Sequence, residues 1–122
     1  MITLHDAPVL LAIILALLMG LGAIVAPTLV ARQFDTPELS AAGRSEVRSV
    51  YGGFGLAMSI MFVVALLRPE LRAGICYTTG AALAGMAGGR VLSALIDREI
   101  GRYPLFYLSL EAGMATMLLW SA

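Results

Sequence analysis

The chain is expected to be an all-α integral membrane protein, a four-helix up-down bundle, and three observations lead there. The first is composition: 60% of the 122 residues are hydrophobic and 13% charged, with a mean hydropathy of +0.91. Soluble domains average about 45–50% apolar and about 25% charged. The second is that four apolar stretches each approach the roughly 20 residues a helix needs to cross hydrocarbon. The third is that the linkers are short, the longest running only from Val30 to Ser49, so residues 1–122 form a single membrane domain with no soluble part.

The first span is expected from about Pro8 to Leu29, with Asp6 as N-cap, Pro8 in the first turn and Pro27 kinking the last. No basic residue precedes it and its apolar run is too long for a signal peptide, so the helix is retained. The following linker carries Thr36-Pro37-Glu38, a helix-start pattern that predicts a short helix lying at the interface. The second span runs from about Val50 to Leu67 and stops at Arg68-Pro69. The third covers Gly74 to Ile96 and the fourth Tyr103 to Trp120. The connections Arg68 to Ala73 and Asp97 to Arg102 are tight and force antiparallel neighbours.

Orientation follows from arginine, since all 8 basic residues are Arg. Arg32, Arg44, Arg48, Arg98 and Arg102 fall on one side, with Arg90 close by; Arg68 and Arg72 fall on the other. The positive-inside rule places the first and third loops in the cytoplasm and both termini outside, in a bacterial inner membrane. Trp120 and Tyr103 then suit the two interfacial belts.

Helices in lipid associate through close backbone approach at small residues. Gly80, Ala84 and Gly88 form one ladder in the third span, and Ala81, Gly85 and Gly89 form the next. Such a smooth helix belongs at the bundle centre. The second span offers Gly52, Gly53, Gly55 and Ser59; the first offers Ala16, Gly20, Gly22 and Ala26. These are grooves within the chain or, alternatively, a homodimer seam. Met58, Met61, Met86, Met114 and Met117 are expected to fill gaps in the core.

Two charges interrupt the hydrophobic runs. Arg90 lies about six residues before the inner end of the third span, or about 9 Å deep, and Glu111 about eight residues into the fourth, or about 12 Å deep. The depths match, so antiparallel neighbours bring guanidinium and carboxylate together. Tyr107 shares the face of Glu111, and Asp97 that of Arg90. At the start of the second span Glu46, Arg48 and Tyr51 fall at a similar level. Arg90, Glu111, Arg48, Tyr51, Tyr107, Asp97 and Glu46 are therefore the candidate binding residues.

Two readings of this cluster stand open. In one it is an ion-pair network that fixes helix register. In the other it is an inward-facing polar pocket for an anion, a lipid head group or a small metabolite, or a proton-coupled carrier site.

Other chemistry finds little support. The lone Cys76 excludes an intrachain disulfide or a cysteine metal cluster. The lone His5 fits a surface or capping role rather than ligation, and no HExxH or nucleophile elbow occurs. No catalytic residue, metal or cofactor is expected, and zero net charge argues against nucleic acid as a partner.

The stretch Glu46-Val47-Arg48-Ser49-Val50-Tyr51-Gly52-Gly53, with Gly88-Gly89-Arg90, resembles the bacterial membrane family catalogued as domain of unknown function 4345. The resemblance covers nearly the whole chain and implies four spans and residues to test, not a reaction. In size the chain is also similar to small multidrug resistance transporters, but their essential Glu lies in the first span, which is uncharged here.

The expected role is that of a non-enzymatic accessory subunit of a larger membrane complex. The alternative is a homodimeric small-molecule transporter or lipid-binding protein built on the Arg/Glu/Tyr cluster. The expected partners are the lipid bilayer and either another membrane protein or a second copy.

Overall fold

In the computed structural model, which describes residues 1–122, the chain is helices and short connections without a β-strand. A 3-10 turn, Leu4–Asp6, leads into α1, Ala7–Val25. Asp6 does not cap α1 as expected. It closes the turn instead, its Oδ2 accepting the Thr3 N–H at 2.7 Å and the Thr3 hydroxyl at 2.9 Å.

Pro27 does more than kink the first helix. It has no N–H to continue the α1 ladder, so the helix breaks at Ala26 (φ −134°, ψ 62°) and restarts as α2, Pro27–Arg32.

A helix follows the Thr36-Pro37-Glu38 pattern but starts later than that pattern indicates, as α3, Ala41–Val47, and it is not a separate short helix. Ser40 is the effective start signal, because its Oγ accepts the otherwise orphaned N–H of Gly43 at 3.1 Å. A π-helical turn, Arg48–Gly53, carries α3 directly into α4, Phe54–Leu67. The second apolar helix is thus one run, Ala41–Leu67.

The expected loop from Arg68 to Ala73 is also helical. Arg68 alone (φ −126°, ψ 85°) separates α4 from α5, Pro69–Asp97, and Pro69 fills the first helical position, where its missing N–H costs nothing. The helix stops where Arg98 turns left-handed at φ 54°. After a short turn, α6 runs Arg102–Ser121.

Three helices are long and apolar enough to cross a membrane: Leu4–Val25, Ala41–Leu67 and Pro69–Asp97, with mean hydropathies of 2.8, 2.1 and 1.3. α6 has the length but is diluted by Arg102 and Glu111 and falls outside that set.

The chain divides into two compact units, Leu10–Val64 and Met1–Val9 with Ala65–Ala122. In the first, α1 and α4 run antiparallel in near backbone contact. A Cβ on Gly20 would sit 2.7 Å from the Leu56 nitrogen, and one on Gly55 2.9 Å from the Gly20 nitrogen and 3.0 Å from the Ala16 oxygen. These are the small-residue contacts that the sequence anticipated.

In the second unit α5 and α6 form an antiparallel hairpin. Cys76, Gly80 and Ala87 are buried along one helix and Met114, Ala115 and Leu118 along the other. A Cβ on Gly80 would meet Leu119 at 2.9 Å.

The broad small-residue face of α5 is corrected here. Of its ladder glycines only Gly80 is in tight contact, while Gly85, Gly88 and Gly89 have nothing within 4 Å of an added Cβ. Only 11% of the apolar window of α5 is buried, against 28% in each of the other two. The residues facing α6 follow the 76–80–87–90 spacing, a different stripe. Nor do the methionines fill the core as a group: Met114 is buried, but Met61, Met86 and Met117 are exposed.

Candidate functional site

Glu111 lies in the middle of α6 and is 5% exposed. Across the hairpin the Arg90 Nε donates to its Oε2 and the Arg90 Nη2 to its Oε1, each at 2.8 Å. This is the bidentate fork that a planar guanidinium makes with a carboxylate. The pairing follows from the antiparallel turn at 98–101, which returns α6 along α5 so that residues equally far from the turn meet. The Tyr107 ring, one turn before Glu111, lies under the Arg90 guanidinium with the centroid 5.5 Å away, within cation–π range. Arg90, Glu111 and Tyr107 thus come together as the spacing predicts.

The pair is asymmetric. The Arg90 side chain is 24% accessible and that of Glu111 6%. Both carboxylate oxygens are held by one cation, so the buried anion is neutralised in place. The fork joins α5 to α6 at this level of the hairpin.

Asp97 does not join the group. It accepts a long 3.5 Å hydrogen bond from Ser93 Oγ on its own helix and is exposed. Seven residues beyond Arg90, it lies roughly 10 Å farther along the axis, too far for contact.

Arg48, Tyr51 and Glu46 belong to the Leu10–Val64 unit. The Arg48 Nε donates to the Ile24 carbonyl at 3.1 Å. Ile24 lies in the last turn of α1, where the break at Ala26 and Pro27 interrupts the ladder, so Arg48 caps a helix C-terminus and complements its dipole. Gly52, four residues on, is buried against Ile24, whose Cδ1 would lie 2.7 Å from an added Cβ. Tyr51 is half-buried in the π-turn and Glu46 is exposed on α3. The stretch from Glu46 to Gly53 therefore docks α1 onto the run that follows it.

A second polar cluster ties the other end of the hairpin to the amino-terminal turn. Arg72 pairs with Asp6 Oδ1 and donates to the His5 carbonyl, to the Ser121 carbonyl at 3.0 Å and to the Ser121 hydroxyl at 2.7 Å. The Ser121 hydroxyl donates in turn to the His5 carbonyl at 2.7 Å. The His5 imidazole stacks on the Trp120 indole, with centroids 4.1 Å apart and planes 7° from parallel. Asp6 and Arg72, opposite charges at the same end of their helices, were the legible signal.

No buried side-chain nitrogen or oxygen lacks a hydrogen-bond partner. The fold and these two clusters define a small all-helical protein with membrane-length apolar helices whose internal charges are paired. Residues 7–122 match the family model described as Domain of unknown function (DUF4345), so the chain belongs to that family. No curated protein and no solved structure matches it.

Proposed function

We propose that this chain is a four-span protein of the bacterial inner membrane, with both termini outside, that serves without catalysis as an accessory component of a larger membrane complex. The observation that carries this reading is the closed Arg90–Glu111 fork. A carboxylate at mid-membrane costs about 2.5–3.5 kcal/mol on insertion scales. Neutralised by Arg90, Glu111 no longer bars α6 from crossing beside α5, which supplies the fourth span. The same closure commits the charges to structure rather than to turnover.

A membrane partner is supported by the surface of α5. Gly85, Gly88 and Gly89 gain nothing within the chain, although a helical glycine costs about 1 kcal/mol relative to alanine. Close approach of another helix offsets that cost. Short connections leave little outside the bilayer for a soluble partner to hold.

Extraction in mild detergent or native nanodiscs, followed by native mass spectrometry, tests the proposal. The expected result is a stoichiometric assembly containing another membrane protein; a lone monodisperse chain overturns it.

The second reading, a homodimeric transporter or lipid-binding protein, is favoured by one observation: Arg90 is the accessible half of its pair and stands over Tyr107. An anionic head group approaching from that side meets a guanidinium and an aromatic edge. A dimer mass with retained anionic lipid in the same experiment supports that reading over the first.

A further inference from the structure

We infer that the turn end of the α5–α6 hairpin holds the head group of a zwitterionic phospholipid, its phosphate on Arg98 and Arg102 and its primary ammonium on Asp97 and Glu99. The arginines of the chain divide by what they hold. Arg44 and Arg48 donate to backbone carbonyls, and Arg68, Arg72 and Arg90 pair with carboxylates. Arg32, Arg98 and Arg102 do neither, and the last two flank this one turn, both exposed. Arg98 ends α5 and Arg102 begins α6. Packed helices lie about 8–10 Å apart, so both guanidiniums are carried at the same end of the hairpin.

Arg102 is held in a form suited to phosphate. Its guanidinium lies 5.0 Å over the Tyr103 ring and donates a long 3.5 Å hydrogen bond to the Tyr103 hydroxyl. A guanidinium stacked by its face keeps its in-plane N–H fork for a phosphate. Just inside the turn, Leu95 and Ile96 on α5 and Leu105 and Phe106 on α6 are each more than half exposed. Acyl chains cover such side chains, and the charged turn beyond them then falls at head-group level.

Charge balance selects the head group. Asp97 and Glu99 are exposed in the same stretch; Asp97 accepts only the long bond from Ser93, and Glu99 is in no ion pair. Two cations and two anions cancel over residues 97–102, so no net field draws a purely anionic lipid. A phosphate with a tethered ammonium answers both signs by charge-assisted hydrogen bonds. A choline nitrogen has no N–H and answers only one.

The full chain is placed in nanodiscs containing phosphatidylethanolamine, phosphatidylcholine and phosphatidylglycerol in equal parts, and native mass spectrometry counts the lipid it retains. Retention of phosphatidylethanolamine is expected to exceed that of either other lipid roughly threefold to tenfold. Arg98→Gln with Arg102→Gln is expected to abolish the preference, and Asp97→Asn with Glu99→Gln to turn it toward phosphatidylglycerol. Arg68→Gln, at the other end of the hairpin, is expected to leave it unchanged. All these side chains are exposed, so the variants keep the hairpin core.

Equal retention of the three lipids by the wild type overturns the site, as does a preference that survives the double arginine variant. The site rests on α6 being the fourth span, as proposed above, and a separate measurement checks that. In the same nanodiscs Ser109→Cys is expected to resist a membrane-impermeant maleimide, with buried Cys76 silent. Labelling there overturns the fourth span; protection there with equal lipid retention overturns the head-group site alone.

Discussion

Arg90 holds both oxygens of Glu111 at 2.8 Å across the α5–α6 hairpin, each charge within a largely apolar helix. Each charge makes the other tolerable, and together they lock one helix against the other at a single register.

Breaking one half of that lock leaves an uncompensated charge. Glu111→Gln is expected to destabilise the folded chain by about 3 kcal/mol, the lower end of what removing one member of a buried pair costs, because Arg90 is partly accessible. Replacing both, Arg90→Met with Glu111→Leu, is expected to recover most or all of the loss. Reversible unfolding in micelles measures both. A Glu111→Gln variant of unchanged stability that loses a bound ligand or partner instead assigns the pair to function.

Close packing of α1 on α4 predicts a contrast among glycines. Gly55→Val drives a side chain into the backbone of Gly20 and Ala16 and is expected to cost about 1–3 kcal/mol or more. Gly85→Ala meets nothing and is expected to stabilise the isolated chain by up to about 1 kcal/mol through helix propensity. Gly85→Leu leaves the isolated chain folded but, if α5 faces a partner, releases it. Thermal melts and co-purification yields separate the three outcomes.

Arg48 is assigned to the end of α1. Arg48→Met retains its apolar stem and removes only the hydrogen bond to Ile24, with an expected cost of about 1 kcal/mol. Hydrogen exchange is expected to rise in the last turn of α1 and in α2 and to stay unchanged in α6. Loss of a copurifying ligand with no local change in exchange contradicts the capping role.

At the opposite end of the hairpin, Ser121→Ala removes a hydroxyl that both accepts from Arg72 and donates to His5. The buried site makes the loss worth about 1–3 kcal/mol. Proteolysis is expected to reach the first nine residues faster in this variant than in the wild type.

Much of the local structure was legible because runs long and apolar enough to cross a membrane favour helix. Runs such as Leu10 to Val25 have no stable alternative to helix once water is absent, since every backbone polar group must be satisfied within the segment. The meeting of Arg90 with Glu111 was legible for a related reason: a tight turn between antiparallel helices makes depth a function of residue count. The boundaries were less legible. Pro27 and Pro69 act through the backbone, one ending a helix and the other starting one, and the sequence alone does not distinguish a loop from a one-residue joint at Arg68. Helical spacing alone does not show the local partners of Arg48 and Asp97, the Ile24 carbonyl and the Ser93 hydroxyl, which lie nearer at hand.

What residue order decided by itself is the all-helical chain, its apolar segments and the partnership of two charges in successive helices, since hydrophobicity and helical rise act along the chain. Tertiary structure alone decided which small residues touch, that Arg48 caps α1, and that Arg72 gathers Asp6, His5 and Ser121. Those contacts depend on helix rotation and on competition among acceptors brought together from distant positions, and a guanidinium goes to whichever oxygens folding leaves unsatisfied beside it.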